Sequence, residues 1–324
     1  MNAIVFAGDQ TPSYTQGINK AFLDLEGWPL FIHVLAALNQ ASHIETVYII
    51  GPKKKIMEGI EQALPFFLFA KKIEVLDQKK DLLTNILSAY RHAFGNDDTP
   101  PALFLPADIP LVTGTEIDLF IEMSNMDQYD YCLGVTSADH LKQFYPEEQT
   151  PGILMPYLYL KDFVYRMNNL HCARLSCQNA LMMIQQIYDH RHQKNVWNRI
   201  GMIYTLLKDH AGRLLWFYLW AQGATLCSRF GLHPLATFFR RPLLLNQVEQ
   251  AVGSLLQMRF KAIEINTGGA ALDIDDASTY QTIRLMFNKW HRTLAAPVPE
   301  QSANSHCPFE AECHGHEAVS QGQC

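Results

Sequence analysis

The sequence lacks the features that mark a secreted, membrane-spanning or nucleic-acid-binding protein. Its longest apolar stretch, residues 214–227, is interrupted by Gln222 and Gly223. It is too short for a membrane-spanning helix, which needs about 20 apolar residues. The first residues show no basic segment before a long apolar core, so we expect a strand there rather than a signal peptide. The formal net charge is −6, which gives no bulk attraction to nucleic acid.

Cysteine is sparse and follows no pairing pattern. Seven Cys at irregular spacing in 324 residues do not form a disulfide framework, and this predicts a reducing, cytoplasmic compartment. Residues 293–324 combine Pro, Ser, Gln and Glu with several His and Cys, but they contain no Cys-x-x-Cys pair. Structural zinc sites usually carry such a pair, so a disordered tail is predicted there instead.

Short apolar runs alternate with helical patterns over the first 140 residues and return near the end of the chain. The apolar runs predict strands at residues 2–7, 46–50, 73–76, 102–105, 130–136 and 260–265. Apolar residues at helical spacing predict helices after Pro29, after Asp81, over 116–123 and over 277–290. Strands that alternate with helices predict an α/β fold with a mostly parallel, Rossmann-like sheet that is covered on both faces.

The middle of the chain has a different composition. Residues 153–164 are apolar and strand-like, whereas residues 175–256 have a helical pattern that is rich in aromatic side chains, including Trp216 and Trp220. We therefore predict an α/β domain from residues 1–170 and 257–292, with a helical insertion at residues 171–256. Most apolar side chains of such helices pack inward, although some could contact a partner or a membrane surface.

The candidate site begins where the strand of residues 102–105 ends. Asp108 follows this strand, and Pro110 keeps the chain from entering a helix at once. In open α/β sheets, ligands bind beyond the carboxyl ends of the strands, near a topological switch point. Asp108 is therefore either a turn or cap residue, or a metal ligand that faces a cleft.

The loop after the first strand is rich in turn-forming residues and leads to Lys20. Such a loop can present backbone N–H groups to a phosphate, and Lys20 would add a positive charge; the alternative is a solvated surface lysine. At the start of a later helix, Thr84 or Asn85 could contact a base or ribose, or could cap the helix. The chain leaves the first strand and enters this loop through Ala7, Gly8, Asp9 and Gln10.

Two carboxylates lie close together near the end of the chain. Asp273 and Asp275 alternate about Ile274, so in extended chain both side chains point to the same face. Two carboxylates on one face repel each other unless a cation or a basic group lies between them. Asp276 is better explained as the cap of the helix that follows.

Three of these stretches resemble segments of the molybdenum-cofactor and sugar-phosphate nucleotidyltransferases, and they occur in the family's order. Residues 19–30 resemble the family segment Lys-Ala-Leu-x-x-x-x-Gly-x-Pro-Leu. Residues 105–112 resemble its metal-Asp strand, and residues 272–280 resemble its late Asp-Ile-Asp segment. Each segment alone has low specificity, whereas the ordered set, which brackets residues 1–140 and 260–290, has moderate specificity.

The resemblance implies a glycosyltransferase-A-like fold and the transfer of a nucleotidyl group. An NTP would react with a phosphorylated small-molecule or lipid acceptor and release pyrophosphate. Lys20 would neutralise phosphate charge in the transition state, and the loop residues Ala7, Gly8, Asp9 and Gln10 would face the base and the phosphates. Asp108, with Asp273, Asp275 or both, would hold Mg²⁺.

The first loop departs from the family pattern, which reads Gly-Gly-x-x-x-Arg or Gly-x-Gly-x-Arg. Here the loop reads Gly8-Asp9-Gln10, and no Arg precedes Lys20. The charge of Asp9 would repel phosphate, so we expect Arg166 or a basic residue of the helical insertion to replace the missing arginine. The alternative is a catalytically silent nucleotide-fold module that binds a partner or a membrane surface through the aromatic insertion.

Overall fold

The computed structural model of the protein describes residues 1–8, 15, 17–175 and 212–295. Its strands are β1 (Asn2–Phe6), β2 (Asp24–Leu25), β3 (Trp28–Pro29), β4 (Thr46–Gly51), β5 (Lys72–Asp77), β6 (Ala102–Pro106), β7 (Tyr131–Ser137), β8 (Leu158–Tyr159), β9 (Val164–Ala173) and β10 (Phe260–Glu264). Its helices are α1 (Leu30–Gln40), α2 (Lys53–Ala63), α3 (Leu82–Phe94), α4 (Gly114–Met123), α5 (Ala138–Leu141), α6 (Gly212–Arg229), α7 (His233–Arg240), α8 (Leu245–Leu256) and α9 (Ala277–Ala295).

Eight of these strands form one mostly parallel sheet, in the order β10, β7, β9, β6, β1, β4, β5, with β8 paired to β9. Strand β1 is parallel to β4 and β6, β4 to β5, and β10 to β7. The chain moves from β1 to β4 and β5 on one side and then returns to β6 on the other side of β1. The switch point at which open α/β sheets bind ligands therefore lies between the carboxyl ends of β1 and β6.

The central strands are apolar because helices cover both faces of the sheet. Val5 and Leu105 lie in a buried cluster with Leu38 of α1 on one face. On the other face, Ile4 belongs to a second buried cluster with Tyr90 of α3. This two-sided burial explains why the strands read as continuous apolar runs in the sequence.

Strand β9 differs from the sequence prediction. A strand was predicted over residues 153–164, but only the two-residue β8 forms inside that range, and the ten-residue β9 begins at Val164. It runs antiparallel between β6 and β7 and extends to Ala173, three residues into the predicted insertion. Polar residues such as Arg166 and Asn168 interrupt its apolar pattern, so the sequence did not show it as a buried strand.

Helices α6, α7 and α8 lie within the predicted helical insertion and pack beside the sheet. Phe217 of α6 and Ala251 of α8 share a buried cluster with Val135 and Tyr165 of the sheet. In the parts of the chain that the structure describes, no helix has both the length and the apolar character needed to cross a membrane. The disordered tail was predicted over residues 293–324, but α9 continues to Ala295, so the prediction is wrong for residues 293–295. Residues 296–324 lie outside the described residues.

Candidate functional site

A cavity of about 550 Å³ opens at the switch point. It is lined by the ends of β1 and β6, by the loop after β5 with the start of α3, and by the segment after β10. Asp9 and Gln10 lie outside the described residues. The other predicted site residues all line the cavity, and these are Ala7, Gly8, Lys20, Asn85, Asp108, Asp273 and Asp275.

Lys20 reaches the cavity because Asn19 ties the loop back to the end of β1. The Asn19 Nδ2 donates hydrogen bonds to the carbonyl oxygens of Ala7 at 3.2 Å and Gly8 at 2.9 Å. The Asn19 Oδ1 accepts from the backbone N–H of Ala21 at 2.9 Å, which caps a short 3₁₀ turn. Lys20 is only 7% exposed, so the alternative of a solvated surface lysine is wrong.

The Lys20 ammonium lies between two carboxylates. Its Nζ is 2.6 Å from Asp108 Oδ2 and 3.4 Å from Asp275 Oδ1. The other oxygen of Asp108, Oδ1, is buried and accepts no hydrogen bond from any residue that the structure describes. Leaving a buried carboxylate oxygen without a donor costs free energy, so this atom is suited to a bound cation or to a ligand donor.

Backbone contacts bring the late segment to Asp108. The backbone N–H of Ile274 donates to the carbonyl oxygen of Asp108 at 3.1 Å, with Asp273 and Asp275 on either side of this bond. Burial raises the pKa of Asp273 to about 6, and the negative charge of Asp275 adds to this effect, while Arg166 opposes it. The fold therefore brings together carboxylates that are far apart in the sequence.

These carboxylates have the chemistry that Mg²⁺ prefers, because oxygen atoms are its usual ligands. The unsatisfied Asp108 Oδ1 also fits such an ion. Across the described ranges, however, no three His, Cys, Asp or Glu side chains lie together as a ready metal site. Lys20 lies against Asp108, and Arg166 pairs with Asp273, so positive side chains already compensate part of the charge. Magnesium binding stays a prediction, and the residues present are compatible with it.

Arg166 does not replace the missing loop arginine. Its Nη2 lies 2.5 Å from Asp273 Oδ1, and its Nε donates to the carbonyl oxygen of Ala271 at 2.8 Å. The side chain does not belong to the described lining of the cavity. Because its donors are directed at the late segment, Arg166 positions Asp273 rather than a phosphate.

Glu116 is a site-positioning residue that sequence reasoning missed. It lies in the first turn of α4, and its fully buried carboxylate accepts from the backbone N–H of Ala270 at 3.1 and 3.2 Å. Burial raises its pKa to about 7, although the backbone hydrogen bonds act in the opposite direction. Gly269 is needed for this close approach, because a Cβ there would lie 2.2 Å from the carbonyl oxygen of Leu111.

The sequence carried a signal for Glu116. Thr113 Oγ1 caps α4 by accepting from the backbone N–H of Glu116 at 3.2 Å, so the Thr-x-x-Glu spacing is that of a capping box. A capping box predicts the start of a helix at this point. It does not predict that the glutamate also reaches across to a segment more than 150 positions away, because that contact depends on the sheet.

The loop after β5 forms another wall of the cavity and was also missed. Gln78, Lys79 and Lys80 line it, and both lysines are exposed. Asn85 Oδ1 accepts from the backbone N–H of Lys79 at 2.5 Å, so Asn85 shapes this loop. The helix cap is Asp81, whose Oδ1 accepts from the backbone N–H of Thr84 at 2.7 Å, so the expectation of a Thr84 or Asn85 cap is wrong.

Most of the chain matches one known protein family. Residues 3–260 match the model of the MobA-like NTP transferase domain. Over 127 residues the chain is 24% identical to the 2-C-methyl-D-erythritol 4-phosphate cytidylyltransferase of Geotalea uraniireducens (strain Rf4), and the match covers 39% of this chain. It covers 54% of that protein, so the chain spans about half the length of the curated relative it matches.

The fold is similar to a solved structure described as a hypothetical transferase from Thermus thermophilus. The TM-score is 0.59 at 18% sequence identity, and the match covers 85% of this chain and 96% of that chain. This likeness concerns the fold alone. Together with the largely parallel sheet, it confirms the predicted glycosyltransferase-A-like fold class.

Proposed function

Because this chain belongs to the MobA-like NTP transferase domain family, we propose that it transfers a nucleotidyl group from an NTP to a phosphorylated acceptor and releases pyrophosphate. The family is one of NTP transferases, and this supports an enzymatic nucleotidyl transfer by this chain. The proposal adds the class of the acceptor and the need for Mg²⁺. The name of the partly matching cytidylyltransferase specifies a phosphate-bearing compound, which supports a phosphorylated acceptor here.

The observation that carries the proposal is the contact of the buried Lys20 side chain with Asp108 and with the exposed Asp275 at the edge of the cavity. A volume of about 550 Å³ lies within the usual range for small-molecule sites. Enzymes of phosphoryl and nucleotidyl transfer act mainly by positioning the reactants and by stabilising charge. A lysine and several carboxylates held at a sheet switch point supply both of these functions.

In the proposed reaction, an oxygen of the acceptor phosphate attacks the α-phosphorus of the NTP. A P–O bond to that phosphorus forms, the bond to the β-phosphate oxygen breaks, and pyrophosphate leaves with the electron pair. Lys20 donates hydrogen bonds to the α-phosphate oxygens, where negative charge develops. When bound by Asp108 together with Asp273 or Asp275, Mg²⁺ would polarise the phosphate oxygens.

Two lysines of the loop after β5 supply the positive charge that the missing arginine of the first loop would otherwise provide. Lys79 and Lys80 line the cavity and are exposed, so their side chains are able to turn toward a triphosphate. The side chain of Lys80 is highly exposed, and its Nζ lies 3.9 Å from Asp81 Oδ2, so this ion pair is weak. The hydrogen bond from Lys79 to Asn85 holds the loop backbone at the cavity rim.

A two-stage assay tests the proposal. The first stage measures the thermal shift of the full chain with each of the four NTPs in the presence of Mg²⁺ or EDTA. A ligand at 100 times its Kd stabilises the folded state by about 2.7 kcal/mol, so the midpoint rises for the preferred nucleotide. The second stage measures pyrophosphate release from that NTP with sugar phosphates, polyol phosphates and lipid phosphates as acceptors.

The two stages separate the proposal from its alternative. Pyrophosphate release that needs both a phosphorylated acceptor and Mg²⁺ supports the proposal. A thermal shift without pyrophosphate release in the presence of any acceptor favours the catalytically silent module. The observation that favours this alternative is that the first loop departs from the family pattern. Absence of any shift with every NTP contradicts nucleotide binding at this cavity.

A further inference from the structure

Helices α6 and α7 carry an apolar surface that the described part of the chain leaves exposed. Trp216, Leu219 and Leu226 of α6 and Phe230 just after it recur at spacings of three, seven and four, which place them on one side of the helix, while Phe217 and Ala224 are buried. A cluster of this size on consecutive helices marks an interaction surface. The α6–α7 surface consists of side chains that are 41–72% exposed, namely Trp216, Tyr218, Leu219, Leu226, Phe230, Leu232, Leu235 and Phe238.

The sequence around this surface is strongly biased in charge. Residues 210–248 contain four arginines and no Asp or Glu, although the whole chain has a formal net charge of −6. Arg240 Nε donates to the carbonyl oxygen of Leu160 at 2.6 Å and its guanidinium lies 5.9 Å from the ring centre of Tyr159, while Arg241 is exposed. Exposed Trp, Tyr, Phe and Leu beside arginines are typical of proteins that lie in the interface of an anionic bilayer.

We propose that the α6–α7 surface docks on a bilayer that presents anionic headgroups. The apolar side chains enter the boundary between headgroups and acyl chains, and the exposed Arg241 stays at the level of the lipid phosphates. Docking of this kind is peripheral. It requires neither a spanning helix nor a change in the α/β sheet.

Charge disfavours two other occupants of this surface, and a scarcity of aromatic residues disfavours the third. A symmetric contact between two copies would place the same arginine-rich patches against each other, which costs free energy. Residues 296–324 have complementary charge, with four Glu and no Lys or Arg, but Phe309 is their only aromatic residue. Residues 176–211 carry four Lys or Arg against two Asp, so they have the same sign as the surface.

The surface shares a structural element with the candidate active site. Arg240 joins α7 to Leu160, just after β8, and β8 pairs with Tyr165 at the start of β9. The next residue along β9, Arg166, holds Asp273. If the proposed nucleotidyl transfer is correct, docking would therefore present this edge of the protein to phosphorylated lipids.

Vesicle sedimentation of the full chain tests the docking directly. The probes are extruded vesicles of phosphatidylcholine alone, and of phosphatidylcholine with about one-third phosphatidylglycerol, at low and at high salt. We expect binding to the anionic vesicles, a several-fold weaker binding at high salt, and little binding to neutral vesicles. Absence of binding to anionic vesicles at low salt, or equal binding to both compositions, would overturn the proposal.

Matched variants identify the surface responsible. The test variant is Leu219→Ser, Phe230→Ser, Leu235→Ser, and the control is Phe66→Ser, Leu68→Ser, Leu285→Ser, whose side chains are 74–88% exposed elsewhere on the protein. We expect at least a tenfold loss of vesicle affinity in the test variant and unchanged affinity in the control. Equal vesicle binding by both variants, or a concentration-dependent dimer that only the test variant loses, would contradict the proposal.

The outcome is independent of the proposed catalytic function. Nucleotide-induced thermal shifts of both variants report on folding and on the cavity, and neither set of substitutions touches the described cavity lining. Vesicle binding without a nucleotide shift would leave the docking intact and reject the nucleotide site. A nucleotide shift without vesicle binding would do the opposite.

Discussion

Two walls of the cavity are built in different ways. The wall with Lys20 and Asp108 is buried and is held by contacts between distant parts of the chain, such as the hydrogen bond from Ile274 to Asp108. The wall with Lys79 is exposed and is held by local hydrogen bonds, such as the one from its backbone to Asn85. Fixed geometry is needed where bonds change, whereas binding of a flexible triphosphate tolerates mobile charges. If the proposed transfer is correct, the first wall carries the chemistry and the second contributes nucleotide affinity.

The largest expected effect is on turnover at the buried wall. Asp108→Asn keeps the size of the side chain but removes its charge, so we expect kcat to fall by about 10²–10³, as is typical for the loss of one electrostatic contact to a transition state. Steady-state pyrophosphate release measures this. Asp118→Asn is the matched control, because Asp118 accepts from the backbone N–H groups of Ser42 and His43, and none of these residues belongs to the described cavity lining. Unchanged kcat in Asp108→Asn would remove Asp108 from the mechanism.

The next effect concerns the stability of the same wall. Lys20→Met leaves Asp108 without its nearest positive partner, and breaking a largely buried pair in this way costs about 3 kcal/mol. Urea denaturation measures the loss. The double variant Lys20→Met, Asp108→Asn should recover much of the stability, because no carboxylate then remains unpaired at that position. If the double variant is no more stable than Lys20→Met, the pair is not the source of the loss.

Glu116 makes the stability of the folded protein depend on pH. Its pKa rises from an ordinary 4.5 to about 7 in the folded state. Below pH 4.5 both states are protonated. As pH rises from 4.5 to 7 the unfolded state loses this proton first, so stability falls, by about 3 kcal/mol at most. Glu116→Gln has no such group, so denaturation midpoints at pH 5 and pH 8 should differ less in the variant, and an equal difference would contradict the assignment.

The smallest effect is expected at the exposed wall. Lys79→Gln with Lys80→Gln should raise KM for the NTP about three- to tenfold and leave kcat nearly unchanged, because exposed charges each contribute about 1 kcal/mol or less. Lys53→Gln with Lys54→Gln is the control, since these exposed lysines lie at the start of α2. A fall in kcat as large as the rise in KM would show that both walls take part in the chemistry.

Much of the fold was predictable because burial on both faces makes parallel strands uniformly apolar. The central strands β1, β4 and β6 were found in this way. Strand β9 was placed wrongly, because it carries polar residues that satisfy contacts inside the protein. Asn168, for example, approaches so closely that a Cβ at Gly134 would lie 2.1 Å from its Oδ1.

The candidate site was predictable only where its residues follow a strand end or a family segment. Lys20, Asp108 and Asp273 were found by these signals. Glu116 was missed because a glutamate in a first helical turn is usually solvated. Arg166 was one of two expected replacements for the loop arginine, but it pairs with Asp273, a contact that only the folded sheet creates.

The antiparallel strand β9 is the junction between two parallel parts of the sheet. Among the described strands it alone joins the parallel group β6, β1, β4, β5 to the parallel pair β7, β10, and its ladder with β7 shifts register between Leu133 and Val135. Lys20 and Asp108 follow strands of the first group, whereas Asp273 follows β10 of the second group. Flexing along this line would change the gap between Asp108 and the late carboxylates, so the contact of Lys20 with Asp108 would persist while its contact with Asp275 would lengthen. The hydrogen bonds from Ala270 to Glu116 and from Ile274 to Asp108 then connect the two parts of the sheet.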